Sequence, residues 1–95
     1  MKKGYWVVRA NVYNQDEYSK YIEKASEIVA KNSGTFLVRG GSQTEYETYG
    51  YQRTVIVEFE SYKHALDCYN SEEYQAALKY VEDSANRIFS VVEGI

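Results

Sequence analysis

Apolar and polar residues alternate from Tyr5 to Tyr13, with Trp6, Val8, Ala10 and Val12 on one side and Tyr5, Val7, Arg9, Asn11 and Tyr13 on the other. This is the period of a half-buried strand. The period then changes. Tyr18, Tyr21, Ile22, Ala25, Ile28 and Val29 recur at helical spacing, and Asn14 with Glu17 makes an Asn-x-x-Glu capping box ahead of them. Lys20, Glu23, Lys24, Glu27 and Lys31 lie off that stripe and form a solvated face. Asn32-Ser33-Gly34 ends the helix, with Gly34 expected in the left-handed conformation beyond the C-cap.

The second strand is expected over Thr35 to Gly40, with Phe36 and Val38 on one face and Leu37 and Arg39 on the other. Ser42 to Gln52 has no aliphatic residue and is punctuated by Tyr46, Tyr49 and Tyr51. It predicts a polar hairpin turning near Tyr49-Gly50, with Gly40-Gly41 allowing a bend or bulge. Arg53 to Phe59 is the third strand, Val55, Val57 and Phe59 opposing Thr54, Ile56 and Glu58. Ser61 caps the next helix, whose apolar side is Ala65, Leu66 and Tyr69. Asn70-Ser71 interrupts it, and Ser71 caps a second segment with Glu72 and Glu73 in its first turn. Tyr74, Ala77, Leu78, Val81 and Ala85 continue the stripe, and Ile88 to Val92 is the last strand.

Strand, helix, strand, strand, helix, strand is the ferredoxin-like order: an α+β fold with a four-stranded antiparallel sheet and both helices on one face. The first and third strands should be central, with Trp6, Val8, Ala10, Val12, Val55, Val57 and Phe59 toward the helices. The opposite face carries Tyr5, Val7, Leu37 and Ile56 and has no cover within the chain. That much contiguous apolar surface predicts a homodimer closed through this face.

A length of 95 residues fits one domain, 1–95. The net charge of -3, without a basic stripe, argues against nucleic acid as a partner. No segment has the apolar run of a membrane span or signal peptide, and the single cysteine, Cys68, fits a reducing compartment. The expectation is a cytoplasmic protein. Eleven tyrosines suit interfaces and half-wet cavities.

Several separated motifs carry a family resemblance. Gly4-Tyr5-Trp6, Leu37-Val38-Arg39-Gly40-Gly41, Val57-Glu58-Phe59 followed by Ser61, Tyr69-Asn70-Ser71 with Glu73-Tyr74-Gln75, and Val92-Glu93-Gly94 occur in order along nearly the whole chain. The chain thereby resembles the small bacterial proteins of the domain of unknown function 1330 family. The resemblance implies a dimeric α/β barrel, two ferredoxin-like sheets facing one another, and no function. Cys68 stands where family members often carry Trp, and Glu60 where Pro is frequent.

Strand alternation places Arg9, Arg39 and Glu58 together on the uncovered face. A glutamate between two arginines stays ionised, and a spare guanidinium can hold a carboxylate or phosphate in bidentate fashion. Two readings follow. In one, a pocket between sheet and helices, centred on Arg39 and lined by Tyr5, Arg9, Asn11, Arg39, Glu58 and Tyr69, takes a small anionic or aromatic ligand, with or without cofactor-free catalysis. Related barrels include monooxygenases and isomerases, a likeness of fold only. In the other, the three charges neutralise one another inside a structural or regulatory dimer that binds no ligand. No cofactor and no metal is expected. His64 reads as a surface residue, Cys68 as helix packing, and Gly40-Gly41 as a strand bend, since no longer glycine pattern or helix follows it.

Overall fold

The computed structural model describes residues Met1–Ile95. Its elements are β1 (Gly4–Val12), α1 (Gln15–Lys31), β2 (Thr35–Arg39), β3 (Arg53–Phe59), α2 (Tyr62–Tyr69), α3 (Glu72–Ala77), α4 (Lys79–Glu82) and β4 (Ala85–Glu93). The strands form one antiparallel sheet in the order β2-β3-β1-β4, so β1 and β3 are central, as the ferredoxin-like order requires.

Alternation in the central strands decides which side is buried. Trp6, Val8, Ala10, Val57 and Phe59 are all buried, and they meet Tyr21, Ala25, Ile28 and Val29 from α1 and Ala65, Cys68, Tyr74 and Ala77 from α2 and α3. Trp6 is the hub of this layer. Its ring centroid is 5.0 Å from Phe59, 4.9 Å from Tyr74 and 5.3 Å from Phe89, and its Nε1 donates to the carbonyl of Ala65 at 2.9 Å. An indole buried this way keeps its one donor satisfied while contributing a large apolar area.

The expected caps are present. Asn14 accepts from the backbone N–H of Glu17, Ser61 from that of His64 and Ser71 from that of Tyr74. The end of α1 differs from expectation. Ser33, not Gly34, takes the left-handed conformation, at φ 58°. The Gly34 N–H then reaches the carbonyl of Val29 and the Ser33 N–H that of Ala30, which is a Schellman closure. Gly34 is required for space: a Cβ there would lie 2.7 Å from Val29 Cγ1 and 2.9 Å from Phe59 Cε1.

Three further expectations are corrected. The segment 40–52 is an irregular loop and not a hairpin, because its side chains close it locally. Glu45 Oε1 accepts from the Tyr51 N–H at 2.8 Å, and Gln43 bonds both the Tyr51 carbonyl, at 2.8 Å, and Thr54 Oγ1, at 2.6 Å. The last strand begins at Ala85, which pairs with Val12, so Ala85 belongs to the sheet and not to the helical stripe. The third correction concerns β2. Phe36 pairs with Val57, but Val38 pairs with Ile56 and Arg39 with Val55, which leaves Leu37 as an unpaired bulge. A bulge shifts the phase of alternation by one residue. Val38 therefore moves to the uncovered face and Arg39 to the helix side.

Candidate functional site

The bulge divides the residues that alternation had placed together. Arg39 extends on the helix side, its guanidinium 4.0 Å from the Phe36 ring centroid and donating to Ser26 Oγ on α1. Arg9 and Glu58 remain on the uncovered face, four register positions apart, since Glu58 pairs with Tyr5 and Arg9 with Thr54. The cluster of Arg9, Arg39 and Glu58 does not form.

On the uncovered face each candidate already has a partner. The Tyr5 hydroxyl donates to Glu58 Oε2 at 3.0 Å, which raises the phenol above its ordinary range because ionisation would lose that bond and set two negative charges side by side. Arg9 pairs with Glu45 at 3.0 Å, donates to the Thr48 carbonyl at 3.3 Å and lies 5.5 Å from the Tyr51 ring. Asn11 Oδ1 accepts from Gln52 at 2.8 Å. Arg9 and Asn11 thus anchor the loop 40–52 to the sheet. Tyr69 lies on the helix side in the aromatic core, 4.8 Å from Phe89 and 5.2 Å from Tyr74 between ring centroids.

A different group of charges converges on the helix side. A cavity of about 30 Å³ between α1 and the sheet is bordered by Arg39, Arg53 and Arg87, with Tyr18, Tyr21 and Phe36 among its walls. The ion pairs of the protein involve Arg9, Lys20, Lys31 and Lys63, so none of these three arginines has a carboxylate partner. Arg53 Nε is buried and has no hydrogen-bond partner, the one such side-chain atom in the protein. Buried donors are nearly always paired, so an orphan on a cavity wall marks a place where something can bind.

Local structure explains how Arg53 reaches the cavity. Arg53 opens β3 in phase with Val55 and Val57, so its side chain leaves the sheet toward the helices. Gly40 faces it: a Cβ there would fall 2.2 Å from Arg53 Nη1, and Gly40 has φ 69°. Gly40 is therefore needed for the left-handed turn after β2, whereas a Cβ there would meet only the flexible end of Arg53 and displace it.

Arg87 sits opposite Ala10 on β4 and is held by phenols. It donates to the Tyr21 hydroxyl at 3.0 Å and the Tyr74 hydroxyl at 3.4 Å, and those two oxygens are 2.6 Å apart. Burial works against its charge, but the two phenol oxygens outweigh this and raise its pKa. Tyr74 is driven far above the ordinary phenol range, first by burial and then by the neighbouring Tyr21, and stays protonated. Burial likewise raises Tyr18, with Tyr21 adding to it and Arg87 and Arg53 opposing it.

Sequence reasoning missed Arg53 and Arg87: Arg53 is in phase with Val55 and Val57, and Arg87 with Phe89 and Val91 once β4 is seen to begin at Ala85, but an arginine at a strand end reads as a surface residue. Elsewhere, Cys68 is buried and its thiol is pushed up to about 11 by burial, with Glu73 adding to the effect. His64 is exposed, its Nδ1 2.6 Å from Ser61 Oγ. No three His, Cys, Asp or Glu residues are grouped as metal ligands would be.

A model of the family described as a domain of unknown function (DUF1330) matches residues 3–95. The chain belongs to the DUF1330 family. This DUF1330 protein matches no curated protein significantly. Among solved structures it is similar to a protein of unknown function from Rhodopseudomonas palustris, with TM-score 0.77, 10% identity and coverage of 99% of this chain and 83% of that one. It is also similar to a dimeric protein of unknown function and ferredoxin-like fold from Bacteroides fragilis, with TM-score 0.66, 14% identity and coverage of 96% and 95%. A third is SnoaB, a cofactor-independent oxygenase from Streptomyces nogalater, with TM-score 0.63, 8% identity and coverage of 97% and 92%. These likenesses establish the ferredoxin-like fold. No helix of this DUF1330 protein is long and apolar enough to cross a membrane.

Proposed function

We propose that this DUF1330 protein, as one domain over residues 1–95, binds a small organic anion whose charged end enters the cleft around Arg39, Arg53 and Arg87. The carrying observation is that three guanidinium groups border one cavity without a carboxylate, with Arg53 Nε left unpaired among them. Like charges brought together in a partly dry site repel, and an anion that accepts from them converts the repulsion into charge-assisted hydrogen bonds. Arg39, exposed and held only to Phe36 and Ser26, keeps donors free at the mouth. Apolar and aromatic walls, among them Phe36, Val55 and Ile22, suit a ligand with a hydrocarbon or aromatic body. That SnoaB is an oxygenase of the same fold is in keeping with small-molecule chemistry on such a scaffold, though a shared fold carries little weight for function.

The same proposal makes the protein a homodimer in the bacterial cytoplasm, closed through the uncovered sheet face. Val7 and Ile56 are only half-buried there, and Val38, Ile88 and Val92 are exposed. The Bacteroides fragilis relative is described as dimeric, and the free Cys68 suits a reducing compartment.

The test is thermal unfolding of the purified protein with a series of small carboxylates, since a ligand that binds the folded state raises its midpoint by mass action. At least one carboxylate should stabilise the wild type, and Arg53→Met and Arg39→Met should each weaken that response. The exposed apolar side chains of the uncovered face favour a second reading, a structural or regulatory dimer without ligand. Absence of stabilisation by every anion, together with higher stability of Arg53→Met than of wild type, would decide for it.

A further inference from the structure

Hydrogen counting at Tyr21 and Tyr74 shows what the cleft offers beyond positive charge. The two phenols share one contact of 2.6 Å, in which one donates to the other, and Arg87 donates to both oxygens. Two hydroxyl hydrogens serve a single contact, so one is left over. Tyr74 is completely buried and does not border the cavity, whereas Tyr21 does. An unpaired donor inside the core is costly, so we assign Tyr74 as the donor to Tyr21, which leaves the Tyr21 hydrogen free on a residue that borders the cavity. The Tyr21 oxygen, already accepting from Arg87 and Tyr74, is thereby committed as a donor.

The cavity therefore presents guanidinium donors, including the orphaned Arg53 Nε, together with neutral phenol donors, Tyr21 and also Tyr18, which borders the same cavity and donates to no protein group. Its volume of about 30 Å³ has room for roughly two water molecules, the scale of a carboxylate with one adjoining oxygen. Resting on the anion-binding reading above, we infer that the ligand class is the 2-oxo acids. The carboxylate accepts from Arg53 and Arg39, and the neighbouring carbonyl oxygen accepts the hydroxyl hydrogen of Tyr21. A 2-oxo acid matches both donor types, and its substituent is directed along the apolar wall of the cleft. A simple carboxylate lacks that adjoining oxygen and can satisfy Tyr21 only by sharing an oxygen already engaged by the guanidinium groups.

The experiment measures affinities of pyruvate, propionate and inorganic phosphate by calorimetric titration for the wild type, Tyr21→Phe and Arg53→Met. The wild type should prefer pyruvate over propionate by about tenfold, the worth of one hydrogen bond in a partly dry site. Tyr21→Phe should bring that ratio close to one while propionate binding persists, and Arg53→Met should weaken both. Equal binding of pyruvate and propionate by the wild type, a ratio unchanged in Tyr21→Phe, or phosphate binding tighter than either acid overturns the 2-oxo acid inference and leaves the anion site standing. Binding of none of the three overturns both. If Tyr21→Phe does not fold, the carbonyl stretch of ¹³C-labelled pyruvate bound to the wild type replaces it. A shift to lower wavenumber than in water supports the hydrogen bond, and a shift to higher wavenumber or none overturns it.

Discussion

Arg39 lies over the ring of Phe36, 4.0 Å from its centroid, although three residues of regular strand would set the two on opposite faces. The unpaired Leu37 between them reverses the phase. One extra residue in an edge strand thus decides that the guanidinium faces α1 and the cleft.

Phe36 is half-buried, so Phe36→Ala should cost less than a full core truncation. The expected loss is about 2 kcal/mol, roughly half the usual figure for a buried phenylalanine, measured by urea denaturation. It should also weaken carboxylate binding, since Arg39 loses the surface on which it lies. A loss above about 4 kcal/mol would mean that the ring is a core element and not the floor of a cleft.

Glu58→Gln should leave the unfolding midpoint little changed, because Arg9 is neutralised by Glu45 and Arg39 lies across the sheet. Its effect falls on Tyr5. With the carboxylate gone, the Tyr5 hydroxyl should ionise at lower pH than in the wild type, as followed by tyrosinate absorbance against a Tyr5→Phe control. An unchanged Tyr5 titration would contradict the contact.

Ile56→Asp places a charge in the middle of the uncovered face, between Val7 on β1 and Val38 on β2. Sedimentation at micromolar concentration should show a dimeric wild type and a monomeric or unfolded variant. A monomeric wild type would remove the dimer from the proposal.

Gly40→Ala should destabilise the protein by about 1 to 2 kcal/mol through its left-handed backbone, and it should also displace Arg53. Thermal unfolding with and without a binding carboxylate separates the two effects. A variant that is destabilised yet responds fully to the anion would show that the Arg53 guanidinium does not depend on Gly40.

The Cys68 thiol is pushed up to about 11 in the fold, above its ordinary value of 9.0. A raised thiol pKa means that the folded state holds its proton longer than the unfolded state. Its contribution to stability is complete below pH 9.0 and is lost as pH climbs through about 11. In that window Cys68→Ala should lose stability less steeply than the wild type, by up to about 1.4 kcal/mol per pH unit for one proton. Parallel alkaline titrations of the two proteins in urea check this, and identical slopes would count against it.

Local periodicity was enough for the architecture. Alternation in Tyr5–Tyr13 and Arg53–Phe59, the helical stripe after Asn14 and the caps at Ser61 and Ser71 each record which side of one element is buried, and burial is a property of neighbouring residues in the chain. Those patterns lead to the strand order and to the helix-covered face without any coordinates. The site was not legible in the same way. The bulge at Leu37 has no compositional signature, and it is an outcome of how β2 registers on β3, yet it reverses the face of every residue after it. Side-chain bonding of Glu45 to Tyr51 and Arg9 settled the loop, where tyrosine spacing alone suggested a hairpin. The convergence of Arg39, Arg53 and Arg87 joins three strands, two of them at opposite edges of the sheet, and such proximity exists only once strand order, register and the packing of α1 are all in place. The sequence by itself determined which faces are apolar, because burial follows a short period; tertiary pairing alone decided which charges meet, because that depends on register between distant segments.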